Sequence, residues 1–185
     1  MAKTCPQVKY ILLMRHPGAV ALSQLRGGWE LNSIDLLQEL RPNFPWLKDA
    51  QLPKNQFQRL SLWWALENMV ALKASSKPNV KVVLYEHILM ERETVCHNLA
   101  KHCQFVLSKE RLSNAERPSE VSVAGLEYKD STQRMQRWMQ HVSDDDKAYL
   151  DSTLKSTGLS RYYSAFEAQP LLSFNETNLN TNKIN

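Results

Sequence analysis

Two short, β-favouring runs, Val8–Met14 (VKYILLM) and Val80–Tyr85 (VKVVLY), constrain this chain more than any other feature. Both are nearly continuous in apolar residues rather than alternating. That is the signature of strands buried on both faces, as in a parallel sheet. Each run is followed by helix-forming sequence, and this alternation predicts an α/β fold with a parallel sheet flanked by helices.

The first run stops at Arg15-His16-Pro17-Gly18, and Ala19–Leu25 then reads as a helix. Residues 26–55 contain Gly27-Gly28 and prolines at 42, 45 and 53, so they read as loop with at most short helices. Asn55 can cap a helix reaching to about Ser75, with Leu62, Leu66 and Met69 on its apolar face and Trp63 and Val70 beside them. Lys77-Pro78-Asn79 breaks it ahead of the second strand. A helix from about Glu91 to Leu107 should turn Val95, Leu99 and Val106 inward, and the polar segment 108–129 has no clear period. Met135, Trp138, Met139 and Val142 then form an i, i+3, i+4, i+7 stripe. Ser143 can cap a further helix whose first turn carries Asp144, Asp145 and Asp146, with Gly158 as its left-handed end. These readings give one domain over residues 1–168 and a disordered, Asn-rich tail over 169–185.

Composition narrows the possible chemistry. The chain has 185 residues and five glycines, and neither G-x-x-x-x-G-K-[ST] nor G-x-G-x-x-G occurs, so the standard glycine-rich phosphate cradles are absent. A net charge of +4, not clustered in runs, argues against a nucleic-acid partner. Apolar runs such as Tyr10–Met14 are far too short for a membrane span, and the N-terminus lacks the apolar region of a secretory signal. Three cysteines form no disulfide framework, which fits reduced thiols in a cytoplasmic setting. Cys96-His97 and His102-Cys103 read as core thiols and surface imidazoles rather than metal ligands, because two helical turns separate the cysteines. Asp144–Asp146 likewise reads as a helix start, and Trp63, Trp64 and Trp138 read as core. No metal is expected. Asn175-Glu176-Thr177 has the form of a glycosylation acceptor, expected to go unused without a secretion signal.

The segment with chemistry in it is Arg15 to Ser23. Arg15 stands at the carboxyl end of a strand, where open α/β sheets bind ligands, and its planar guanidinium matches phosphate oxygens. Ser23 adds a hydroxyl from the following helix. This segment resembles the 3′-phosphate-binding strand-loop-helix of the sulfotransferases that use 3′-phosphoadenosine 5′-phosphosulfate. Arg15, Pro17, Val20 and Ser23 match that pattern, while His16 replaces the usual Asp or Asn at a variable position. Trp63-Trp64 resembles the family's aromatic pair. Val82–His87 resembles its strand ending in Tyr-Glu-Asp, whose tyrosine approaches the adenine, with His87 in place of the Asp. Arg137–Ser143 resembles its Trp-containing helix and cap, so the matches run over roughly residues 6–163.

The resemblance implies a P-loop NTPase-like sulfotransferase fold, incomplete at the N-terminus. The family's phosphosulfate loop and catalytic base lie upstream of the segment that Arg15 matches, and its Arg-Lys-Gly loop is matched only loosely by Lys129 and Arg134. Half a cofactor site is therefore implied: Arg15 and Ser23 on the 3′-phosphate and Tyr85 on adenine, with no catalytic residue assigned. The implied activity is sulfuryl transfer from 3′-phosphoadenosine 5′-phosphosulfate to a hydroxyl or amine of a small-molecule or carbohydrate acceptor. The alternative is a non-catalytic, truncated or degenerate module acting in protein interaction. A missing first strand would also bare an edge and an apolar face of the Val8–Met14 strand and promote self-association.

Overall fold

A computed structural model describes residues 7–31, 40, 42–48, 50–114 and 130–179. Its sheet has two strands, β1 (Tyr10–Met14) and β2 (Val80–Leu84), paired in parallel with Tyr10 opposite Val80 and Met14 opposite Leu84. The helices are α1 (Pro17–Arg26), α2 (Gln56–Leu72), α3 (Tyr85–Met90), α4 (Arg92–Cys103), α5 (Lys109–Asn114), α6 (Ser131–Gln136), α7 (Asp144–Ser156) and α8 (Phe174–Leu179). Short 3-10 turns occupy Pro45–Lys48, Arg137–Gln140 and Leu159–Arg161. The mixed α/β class and the parallel pairing agree with the sequence.

α2 is the structural axis. Trp64, Ala65 and Leu72 face a cluster with Met14, Val82, Leu84, Leu150, Leu154, Tyr162 and Tyr163. Phe57 and Leu60 face Ala21, Trp138 and Val142, while Leu62 and Leu66 pack on Leu47. A helix apolar on several sides belongs in an interior, and the expected stripe of Leu62, Leu66 and Met69 is one part of that surface. The Asn55 side chain caps α2 by accepting the Gln58 N–H at 3.0 Å. Ser143 caps α7 through the Asp146 N–H. Asp146 also accepts hydrogen bonds from Asn55 Nδ2 at 2.7 Å and Gln58 Nε2 at 2.8 Å, tying the starts of both helices together. Gly158, at φ 70°, follows α7 in the left-handed conformation that the sequence suggested.

Several expectations change. β2 is covered on both faces, with Val82, Val83 and Leu84 fully buried, but Ile11 is 44% and Leu13 55% exposed. β1 is thus buried on one face only. Tyr10 donates its N–H to Asn79 O, so strand alternation turns the main-chain groups of Ile11 and Leu13 away from β2. Among the described residues β1 has no other strand neighbour.

Pro17 opens α1 rather than preceding it, because a first-turn proline loses no intrahelical bond. Tyr85 begins α3 instead of ending β2. The helix expected over Glu91–Leu107 is α4, and it stops at Cys103, where Gln104 adopts a left-handed φ of 59°. Val106 consequently lies 86% exposed rather than inward. The stripe of Met135, Trp138 and Val142 is buried as expected, although α6 gives way to a 3-10 turn within it.

The tail is corrected over 169–179. Leu171 donates its N–H to Tyr162 O, and α8 packs Phe174 against Val83 and Val95. Its Thr177 is fully buried within the would-be glycosylation triplet. Residues 180–185, Cys5 and Lys129 lie outside the described residues.

Gly18 shows how tightly the β1–α1 corner is packed. A Cβ at this position would overlap the indole ring of Trp138, which is itself buried. Gly18→Ala should therefore destabilise the fold by about 1–3 kcal/mol despite alanine's better helix propensity. Urea denaturation checks this, and an unchanged midpoint would contradict the packing.

Candidate functional site

β1 and β2 end side by side at Met14 and Leu84, so the next residues, Arg15 and Tyr85, emerge together at the carboxyl end of the sheet. The Arg15 guanidinium carbon lies 4.9 Å from the centroid of the Tyr85 ring, a cation–π contact between two half-buried side chains. From α6, Arg134 Nη1 donates to the Tyr85 hydroxyl at 3.5 Å. Two guanidinium groups thus meet one phenol beside the start of α1, whose N-terminal dipole adds positive potential. Such a donor set suits a phosphate or sulfate group.

Ser23 is placed differently. It lies exposed on α1, and its carbonyl accepts the Gly27 N–H that closes the helix. It is six residues beyond Pro17, about 9 Å along the helix axis. The structure joins Arg15 and Tyr85 directly and leaves Ser23 outside that contact.

Behind the pair lies a buried polar group built on Glu86, which follows Tyr85 in the stretch that resembles Tyr-Glu-Asp and which the sequence alone allowed to be a solvated charge. The Glu86 carboxylate is 2% exposed; Oε1 accepts the His16 N–H at 2.9 Å and Oε2 accepts the Tyr163 hydroxyl at 3.0 Å. Burial raises the Glu86 pKa, opposed by its hydrogen bonds and by Arg15. Burial also pushes the Tyr163 hydroxyl well above its usual value, with the Glu86 charge acting in the same direction.

His16 is the N-cap of α1. Its Nδ1 accepts the Gly18 N–H at 3.1 Å, so Nε2 carries the proton and donates to Ser164 O at 2.9 Å. The ring stacks on Trp138 with centroids 4.2 Å apart. A position that looks variable in sequence therefore has a definite task, since an Asp or Asn side chain could supply the same capping acceptor. His87, also buried, donates from Nε2 to Leu172 O at 2.7 Å, and burial lowers its pKa. Nothing in the sequence marked His16 as a helix cap or Tyr163 as its neighbour.

Cys96 and Cys103 are half-buried free thiols on α4, and burial pushes the Cys96 thiol up. Among the described residues no group of three or more His, Cys, Asp or Glu side chains could hold a metal ion. No helix among them is long and apolar enough to cross a membrane. Fold and site together give a small mixed α/β chain with a basic, aromatic side-chain group at the carboxyl end of a parallel sheet. Comparison with protein-family models, with curated proteins and with solved structures finds no significant match.

The buried imidazole makes stability depend on pH. Burial, aided by the charge of Arg15, lowers the His16 pKa from 6.5 to about 4. The unfolded chain then takes up the proton first as pH falls, so the contribution of His16 is complete above about pH 6.5 and lost progressively toward pH 4. The full span amounts to about 3 kcal/mol. Glu86 acts with the opposite sign, because its raised pKa favours the folded state as the carboxyl protonates. His16→Asn keeps a capping acceptor without the titration. It should lower stability at pH 7 yet flatten the loss between pH 6.5 and 4, as read by urea midpoints. An unchanged slope would assign the acid sensitivity to another group.

Proposed function

We propose that the chain is a sulfotransferase-type domain of P-loop-like architecture whose Arg15–Tyr85 site binds the nucleotide part of 3′-phosphoadenosine 5′-phosphosulfate. The observation that carries this reading is the 4.9 Å contact between Arg15 and Tyr85, brought together from the ends of two parallel strands. Arg15 would grip the 3′-phosphate, with Arg134 beside it and Ser23 as a contact from α1. Adenine would meet the edge or opposite face of Tyr85, because Arg15 covers one face of the ring. The donor's sulfuryl group would pass to an acceptor hydroxyl or amine on a small molecule or carbohydrate. The acceptor loses its proton and adenosine 3′,5′-bisphosphate leaves. Arg15 and Tyr85 bind and orient; neither is assigned as the base.

Titration calorimetry with adenosine 3′,5′-bisphosphate tests this. Arg15→Ala should weaken binding by roughly 10- to 100-fold, the worth of one charge-assisted contact. Equal binding by wild type and variant, or no binding by wild type, would overturn the reading. Radiolabelled sulfuryl transfer, with and without an added N-terminal phosphosulfate segment, separates binding from turnover.

The bare face of β1 favours a second reading, a non-catalytic module that associates through its sheet edge. Exposed Ile11 and Leu13, on a strand with no second strand neighbour among the described residues, favour pairing with another copy of the chain. Ile11→Lys with Leu13→Lys should then convert oligomers to monomers in sedimentation velocity. A wild-type monomer at all concentrations would remove this reading.

A further inference from the structure

The carboxyl of Glu86 lies directly behind the anion site, and the nucleotide reading leaves it without a task. Its position in the chain suggests one. Glu86 follows Tyr85, and its Oε1 accepts the N–H of His16, the residue that follows Arg15. Each member of the cation–π pair is therefore attached to one end of the same 2.9 Å hydrogen bond, which spans 70 residues of sequence. Oε2 is held by the Tyr163 hydroxyl at 3.0 Å, 77 residues further on, so the carboxyl cannot rotate away without leaving a buried hydroxyl unpaired.

We propose that Glu86 is a positioning residue for the Arg15–Tyr85 site, and that Tyr163 acts on that site through the Glu86 carboxyl. The proposal rests on the anion-binding reading above. The groups facing Glu86 are Arg15 at the end of β1, His16 at the cap of α1 and Tyr163 after the Leu159–Arg161 turn. Arg15 has long, mobile torsions, and a phosphate contact from it requires the backbone behind it to be fixed. Glu86 supplies that fixation from the β2 side. The segment around Tyr163, remote in sequence, thereby becomes part of the site's support.

The test compares wild type with Glu86→Gln and Tyr163→Phe at a temperature where near-ultraviolet circular dichroism shows a native fold. The Arg15 Hε resonance reads the geometry, because the Tyr85 ring current displaces it only while the pair is stacked. Calorimetric titration with adenosine 3′,5′-bisphosphate reads the consequence. Both variants should lose most of that displacement and bind the bisphosphate at least tenfold more weakly, with core methyl resonances of Val83 and Leu150 unmoved. If Glu86→Gln does not fold, Tyr163→Phe, which removes a single hydroxyl, decides. An unchanged Arg15 resonance, or unchanged affinity where wild type binds, overturns the proposal. A wild type that fails to bind the bisphosphate refutes the nucleotide reading, and the Arg15 resonance then decides the positioning role by itself.

Discussion

A carboxylate excluded from water must find its hydrogen-bond donors within the protein, and Glu86 finds them in two distant parts of the chain. One is the His16 amide at the end of β1 and the other is the Tyr163 hydroxyl beyond α7. Removing either donor would leave part of a buried acceptor unsatisfied, so the three segments are held as a unit. The large apolar side chains around this group then pack against fixed partners. Trp138 lies on His16, Tyr163 meets His16 edge-on at 5.1 Å and Trp64 at 5.9 Å. The Arg15–Tyr85 pair sits at the outer end of this framework.

The C-terminal segment is the second half of that framework. Its irregular backbone between α7 and α8 has carbonyl groups that a buried position would leave without donors. His16 satisfies Ser164 O and His87 satisfies Leu172 O, each through Nε2–H, while Phe174 closes the far side of β2. Both imidazoles belong to segments that also frame the site. The same buried rings therefore anchor the C-terminal segment and shape the strand ends, and their neutrality makes the arrangement sensitive to acid.

The sheet is asymmetric for a related reason. β2 receives α2 and α7 side chains on one face and Val95 and Phe174 on the other. β1 shares the first cover but not the second, leaving Ile11 and Leu13 in contact with water. Parallel strands are ordinarily covered on both faces, so this strip is the place where the described fold is least complete by its own physical logic. It stands apart from the Arg15–Tyr85 pair at the strands' carboxyl ends.

What the sequence determined by itself was local and periodic. The two strands, the Asn55 and Ser143 caps, the left-handed Gly158 and the burial of Trp64 and Trp138 all follow from signals within a few residues. The placement of Arg15 at a strand end was legible for the same reason. Tertiary structure decided the rest. It took Tyr85 into the start of a helix, stopped α4 at Cys103, folded Phe174 and Thr177 into the interior and left one face of β1 bare. It also gave Glu86 and His16 their tasks, because a buried polar group is defined by partners 70 or more residues away. Short-range spacing records propensity and which face a side chain takes, whereas the pairing of distant donors and acceptors exists only once the chain has closed on itself.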